Sequence, residues 1–124
     1  QLPGGTQVPF HCTASGKMYL SSLRTEKLQR LLGALQLEKR TPQTLTDIER
    51  LFDELGAIRT RGYSTDNEEF MEGMCAVAVP IKDSEGRLLT TLSVHAPDQR
   101  RSLTSLLDTL EPLNTAANKL AELN

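Results

Sequence analysis

The sequence predicts an α+β domain: helices first, then a three-stranded antiparallel sheet, then a helix that covers it. Three observations predict this. Leucines recur at helical spacing between residues 25 and 55. A period-two alternation marks residues 75–81 and 88–95 on either side of Asp83-Ser84-Glu85-Gly86, and helical spacing returns over residues 103–120. Helices and strands segregated along the chain fit α+β order rather than alternating α/β units.

Thr13 is placed to cap a helix running through Ala14, Met18, Tyr19 and Leu20 to about Leu23. Thr25 restarts a helix carrying Leu28, Leu31 and Leu32, with Gly33 as its stop, and Thr41-Pro42 breaks the chain. Thr46 with Glu49 three residues on makes a capping box. The helix it opens carries Ile48, Leu51, Phe52 and Leu55, and Gly56 ends it. Residues 57–63 are then expected as a strand and 64–73 as a polar, acidic connector with room for one helical turn. Residues 75–81 and 88–95 form a hairpin across the 83–86 turn. After Pro97, Leu103, Leu106, Leu107, Leu110, Leu113, Ala117 and Leu120 define one long amphipathic helix, which Pro112 kinks or restarts.

The 124 residues bound the chain to one domain, residues 1–124, able to bury roughly two-thirds of its unfolded surface. Fourteen Lys and Arg against sixteen Asp and Glu leave a charge of −2, which argues against nucleic-acid binding by bulk electrostatics. No apolar run approaches the ~20 residues of a membrane span, and no signal-peptide pattern opens the chain. A composition 38% hydrophobic and 24% charged is that of an ordinary globular domain. Cys12 and Cys75 make no disulfide framework, so a reduced cytoplasmic setting is expected, and two histidines without clustered thiols argue against structural zinc. Residues 1–62 hold nine basic and six acidic side chains, residues 63–124 five and ten; this polarity suits solvated faces. The opening Gln1-Leu2-Pro3-Gly4-Gly5 leads straight into Val8-Pro9-Phe10, as in a piece of a longer protein.

Three segments bear on function. In the hairpin, Cys75, Val77, Val79, Ile81, Leu92 and Val94 share a branched, apolar face. Ala76, Ala78, Thr91, Ser93 and His95 share a small, polar one. That second face is either a solvated sheet surface or the wall of a pocket with a few aimed hydrogen-bond groups. Two alanines where open solvent would favour Lys or Glu tilt the choice to the pocket. In Thr13-Ala14-Ser15-Gly16-Lys17 a helix start rich in small residues is either an ordinary cap or a carboxylate site; it lacks the spacing of a phosphate-binding P-loop. In Ser64-Thr65-Asp66-Asn67-Glu68-Glu69, Thr65 and Glu68 fit a capping box, while a functional reading sets Asp66 at the pocket mouth as a hydrogen-bond acceptor.

These segments, in this order, resemble the effector-binding domain of the IclR family of bacterial transcriptional regulators. The likeness runs from His11-Cys12-Thr13-Ala14-Ser15-Gly16-Lys17 through Thr41-Pro42-Gln43-Thr44-Leu45-Thr46-Asp47 and Arg59-Thr60-Arg61-Gly62-Tyr63 to Asp66-Asn67-Glu68-Glu69. It continues through residues 73–81 with Asp83 and Gly86, then Leu92-Ser93-Val94 and the last helix. The resemblance implies a GAF-like sheet flanked by helices with a pocket for a small organic acid or related metabolite. It implies no cofactor and no metal, and a homodimer or homotetramer acting away from membranes. DNA would be contacted only through a preceding winged helix-turn-helix domain, which this sequence lacks. It further implies that the domain's own opening strands are missing, which would leave a sheet edge prone to self-association. Family contacts carry over onto Val8, Ala14, Ser15, Asp66, Ala76, Ser93 and His95. Ala76 falls where members often hold Cys or Ser, and Ala76 and His95 both depart from what the best-known members use, which suits a different or larger ligand.

Rival readings are a stand-alone GAF-like sensor or interaction module, and a small hydrolase using Ser93, His95 and Asp66. Against the hydrolase, Ser93 and His95 lie two apart on a strand, spacing their Cα atoms about 6.5–7 Å apart with parallel side chains. A base must approach its nucleophile within about 3 Å. His95, Asp66 and Glu69 lack metal-ligand spacing, and His11 beside Phe10 suits a structural role.

Overall fold

The computed structural model describes residues 9–97 and 102–123. In chain order these form α1 (Ala14–Ser21), α2 (Thr25–Ala34), α3 (Ile48–Arg61), β1 (Ser64–Asn67), β2 (Met74–Lys82) and β3 (Leu88–Pro97). A short α4 (Leu103–Leu106), one 3₁₀ turn (Leu107–Thr109) and α5 (Leu110–Glu122) follow. The sheet is antiparallel throughout, in the order β1-β2-β3.

The hairpin alternation places two different layers on the two sheet faces. Cys75, Val77, Val79 and Ile81 pack with Leu106, Leu113 and Ala117, so α4 and α5 cover the branched face. Leu92, Val94 and Ala96 of β3 extend the same cluster. On the opposite face Ala76 and Ala78 meet Ala14, which brings α1 close to the sheet. Behind α1, Met18 and Leu20 join Leu28, Leu32, Leu51, Leu55 and Ile58 in a second core. Helix α1 is thus sandwiched between the sheet and the α2–α3 layer. Six of its eight residues are buried.

Thr13 caps α1 as its hydroxyl accepts from the Gly16 amide at 3.0 Å. Other boundaries differ from expectation. Gly33 lies inside α2, which ends one residue later when Leu35 turns extended and donates to Leu31 at 3.0 Å. Asp47 rather than Thr46 caps α3, its Oδ1 accepting from the Glu49 amide at 2.8 Å. Gly56 does not end α3. Leu51, Leu55 and Ile58 continue one buried stripe through it, and that burial outweighs the ~1 kcal/mol cost of a mid-helix glycine. The helix stops at Gly62, whose φ of 85° needs a residue without a β-carbon. The strand expected at 57–63 is therefore helix as far as Arg61, and the third strand is β1, inside the segment expected as a connector. Neither a helical turn nor a Thr65–Glu68 capping box forms there. The C-terminal helix is divided by the 3₁₀ turn, and Pro112 sits in the first turn of α5, where its missing amide breaks no hydrogen bond.

Candidate ligand site

The register builds two cross-strand rows on the face under α1. Asp66 pairs with Ala76, and Ala76 with His95; Ser64 pairs with Ala78, and Ala78 with Ser93. Directly opposed residues of antiparallel strands point to the same side. The face thus presents a carboxyl and an imidazole flanking one alanine, and two hydroxyls flanking the next. Ala14, at the start of α1, packs on both alanines. Helix geometry leaves the Ala14 and Ser15 amides outside the intrahelical ladder, at the positive end of the helix dipole.

The residues singled out from sequence fall in three settings. Ala14 and Ala76 are fully buried against each other, and Asp66 is buried at 3% exposure. Ser15 and Ser93 are half-buried, while His95 is exposed on the outer strand β3. Val8 lies outside the described residues. Between α1 and the start of β3 a groove of about 690 Å³ opens, touching Ser15 and Tyr19 on the helix and Thr90 and Thr91 on the strand. It lies beside the Ser93 row, not over His95. No hydrogen bond joins Ser93, His95 and Asp66 among the described residues. Asp66 and His95 are separated by a whole intervening strand, about 9–10 Å of backbone. Nor do three His, Cys, Asp or Glu side chains converge as a metal site requires, among the described residues. His11 is buried, with Nε2 2.8 Å from the Glu38 carbonyl oxygen.

A network that the sequence did not disclose holds Asp66. The Glu69 amide donates to Asp66 Oδ1 at 2.7 Å, and Glu69 Oε2 accepts from the Asn67 amide at 3.0 Å. Lys17, projecting from α1 with its side chain 1% exposed, reaches Glu69 Oε1 at 2.7 Å and Glu54 Oε2 at 3.3 Å. Arg61 joins at Glu54, 3.2 Å away. Thr41 and Thr44 hydroxyls donate to the Glu68 and Glu69 carbonyls, each at 2.6 Å, holding the tight turn in which Glu68 takes a φ of 57°. Lys17 stands in the segment that starts α1, yet its partners lie 37 and 52 residues away, so no local pattern could reveal them.

Burial pushes the Asp66 carboxyl up from 3.8 to about 6, with the Glu69 carboxylate adding to the rise and the Glu69 amide and Lys17 opposing it. An acid whose folded pKa exceeds its unfolded value holds its proton more tightly when folded. Its contribution to stability is therefore greatest below about pH 4 and is lost as pH rises through about 6. Asp66→Asn keeps the Oδ1 acceptor and removes the charge. The expected result is a higher ligand-free melting midpoint at neutral pH and a flatter midpoint-versus-pH curve between about 4 and 6; a lower midpoint at neutral pH would mean the ionised form is well compensated. Burial likewise pushes the Cys12 thiol up to about 11, which leaves it an inert core group.

The architecture is that of an α+β domain whose three-stranded antiparallel sheet is covered by helices on both faces. The chain belongs to the bacterial transcriptional regulator IclR C-terminal family, which it matches over residues 1–122. It is 36% identical over 121 residues to the probable transcriptional regulator SauR of Cupriavidus necator, covering 98% of this chain and 48% of that protein. To the HTH-type transcriptional regulator KdgR of Escherichia coli it is 33% identical over 117 residues, covering 94% and 44%. Among solved structures it superposes on a double mutant of the PobR inducer-binding domain from Acinetobacter, in complex with 3-hydroxybenzoic acid, with a TM-score of 0.90 and 31% identity, covering 97% of this chain and 69% of that one. The C-terminal domain of E. coli KdgR gives a TM-score of 0.86 and 33% identity, covering 95% and 72%. The chain spans about half the length of the curated relatives it matches.

Proposed function

We propose that this chain is the ligand-sensing part of a bacterial transcriptional regulator and that it takes a small organic carboxylate at the sheet face under α1. The observation that carries this reading is the stacking of the α1 start on the alanine pair between Asp66 and Ser93. Free amides and a helix dipole favour an anion there, and polar side chains flank it on both outer strands. The Ala14 and Ser15 amides hold the carboxylate, Ser93 donates a hydrogen bond, Asp66 accepts from a ligand hydroxyl and His95 meets the distal end. Val8 is assigned to the same site on family likeness, and Ala76 lines it without the thiol or hydroxyl of other members. The hydroxybenzoic acid in the PobR relative supports an aromatic hydroxyacid as the first compound to try.

In the whole regulator a winged helix-turn-helix domain would precede this one and contact DNA. Ligand would act by favouring one arrangement of a homodimer or homotetramer, with a coupling of about 1–3 kcal/mol. Such a regulator works in the cytoplasm, and no helix among the described residues is long and apolar enough to cross a membrane. The separation of Ser93, His95 and Asp66 favours a binding role over a hydrolytic one.

Ser93→Ala and Asp66→Ala should each weaken binding of 3-hydroxybenzoate by about 10- to 100-fold, the worth of a hydrogen bond to a charged group. Both variants should unfold as cooperatively as the parent. Calorimetric titration checks this, and unchanged affinity in both places the ligand elsewhere.

A further inference from the structure

Among the described residues, buried hydroxyls are satisfied with one exception. Thr13 donates to the Pro9 carbonyl at 2.8 Å, and Ser21 to the Met18 carbonyl at 2.6 Å. Thr41 and Thr44 donate to the Glu68 and Glu69 carbonyls at 2.6 Å each. Ser64 is fully buried, and its Oγ has no partner. A buried polar atom without a hydrogen bond is a standing penalty that alanine at the same position would remove.

Its location gives that hydroxyl a use. Ser64 is the first residue of β1, held against Ala78 by the ladder, with its side chain on the α1 face. Thr65, the next residue, points to the opposite face. Ala78 is one of the two alanines clustered with Ala14, and Ser93 flanks it from the other side. The orphan hydroxyl therefore lies on the sheet face that α1 covers, beside the alanine cluster that Ala14 joins. A helix start and an unsatisfied donor thus flank one alanine cluster independently, one from α1 and one from β1.

We infer that Ser64 Oγ is a third donor to the carboxylate of a monocarboxylate ligand, completing the pair of α1 amides. This rests on the proposed sensing role and adds to it a contact at the inner end of the site, next to Asp66 on β1. Ligand oxygen satisfies the hydroxyl, so the group costs stability in the ligand-free domain and returns it on binding. A carboxylate is favoured over its amide or ester because all three donors then meet acceptors.

Titrate the 124-residue chain, Ser64→Ala, Ser64→Cys and Ser93→Ala with acetate, benzoate and 3-hydroxybenzoate, and record each ligand-free melting midpoint. The expected result is a ligand-free midpoint for Ser64→Ala at or above that of the parent, with affinity for the bound carboxylate about 10-fold or more weaker. Ser64→Cys, near in size and a poorer donor, should fall between. Unchanged affinity in Ser64→Ala alongside a loss in Ser93→Ala overturns the Ser64 assignment and leaves the sensing site standing. A lowered ligand-free midpoint in Ser64→Ala also overturns it, because the hydroxyl is then structural. No binding of any of the three carboxylates to the parent chain overturns the carboxylate-sensing role, and this inference with it.

Discussion

Lys17→Met should destabilise the domain by about 3–5 kcal/mol, the usual cost of removing one member of a buried ion pair. The Lys17 side chain is 1% exposed, between Glu69 at 2.7 Å and Glu54 at 3.3 Å. Methionine preserves the apolar stem packed between the layers, so the loss is electrostatic rather than a cavity. Glu69, only 10% exposed, is left without its cation, whereas Glu54 keeps Arg61. For a domain of this length the melting midpoint should fall by on the order of 10–20 °C. Adding Glu69→Gln should recover part of the loss, because a neutral buried amide is cheaper than an uncompensated carboxylate. A fall below about 1 kcal/mol would mean that water screens the pair as at a surface.

Gly16→Ala should cost about 3 kcal/mol, for a different reason. A β-carbon there would stand 2.5 Å from Thr13 Oγ1, 2.6 Å from Phe10 Cα and 2.7 Å from the Phe10 oxygen. Two of these are backbone atoms that cannot rotate away, so the strain sits at the upper end of overpacking costs, about 1–3 kcal/mol. Thr13 is also the N-cap of α1, so displacing it gives up part of a cap worth about 1 kcal/mol. Gly33→Ala is the control: it lies within α2 with nothing within 4 Å, and should stabilise by about 0.5–1 kcal/mol. Urea melts of the two variants should move in opposite directions. If Gly16→Ala is neutral, the chain before α1 yields readily and the cap does not fix the helix start.

The hairpin was legible in the sequence because strand alternation is strict. One residue in two from Cys75 to Ile81 is apolar, and that alone assigned the face on which α4 and α5 pack; the opposite face read as pocket wall or solvated surface, and its cover by Ala14 of α1 came from the structure. Gly56 shows where local signals lose. A glycine normally punctuates a helix, but Ile58 continues the buried stripe two residues later, and tertiary packing carries α3 on to Gly62. β1 was illegible for the opposite reason. Ser64-Thr65-Asp66-Asn67 includes two residues depleted from strands, and its extended form is imposed by pairing with β2. Asp66, Ser93 and the α1 start were visible as chemistry. Their grouping on one face required the register, and the ties through Lys17, Glu69 and Ser64 required coordinates.

In the proposed sensing site the α1 start and the polar sheet face bind one anionic ligand together. Backbone amide shifts of the isotopically labelled chain, followed while 3-hydroxybenzoate is added, test it most directly. The expected result is saturable movement at Ala14, Ser15, Ser64, Asp66 and Ser93 with a common dissociation constant. Saturable movement confined to the groove residues Lys27, Arg59, Lys82 and Arg87, with α1 and Ser93 still, would contradict it.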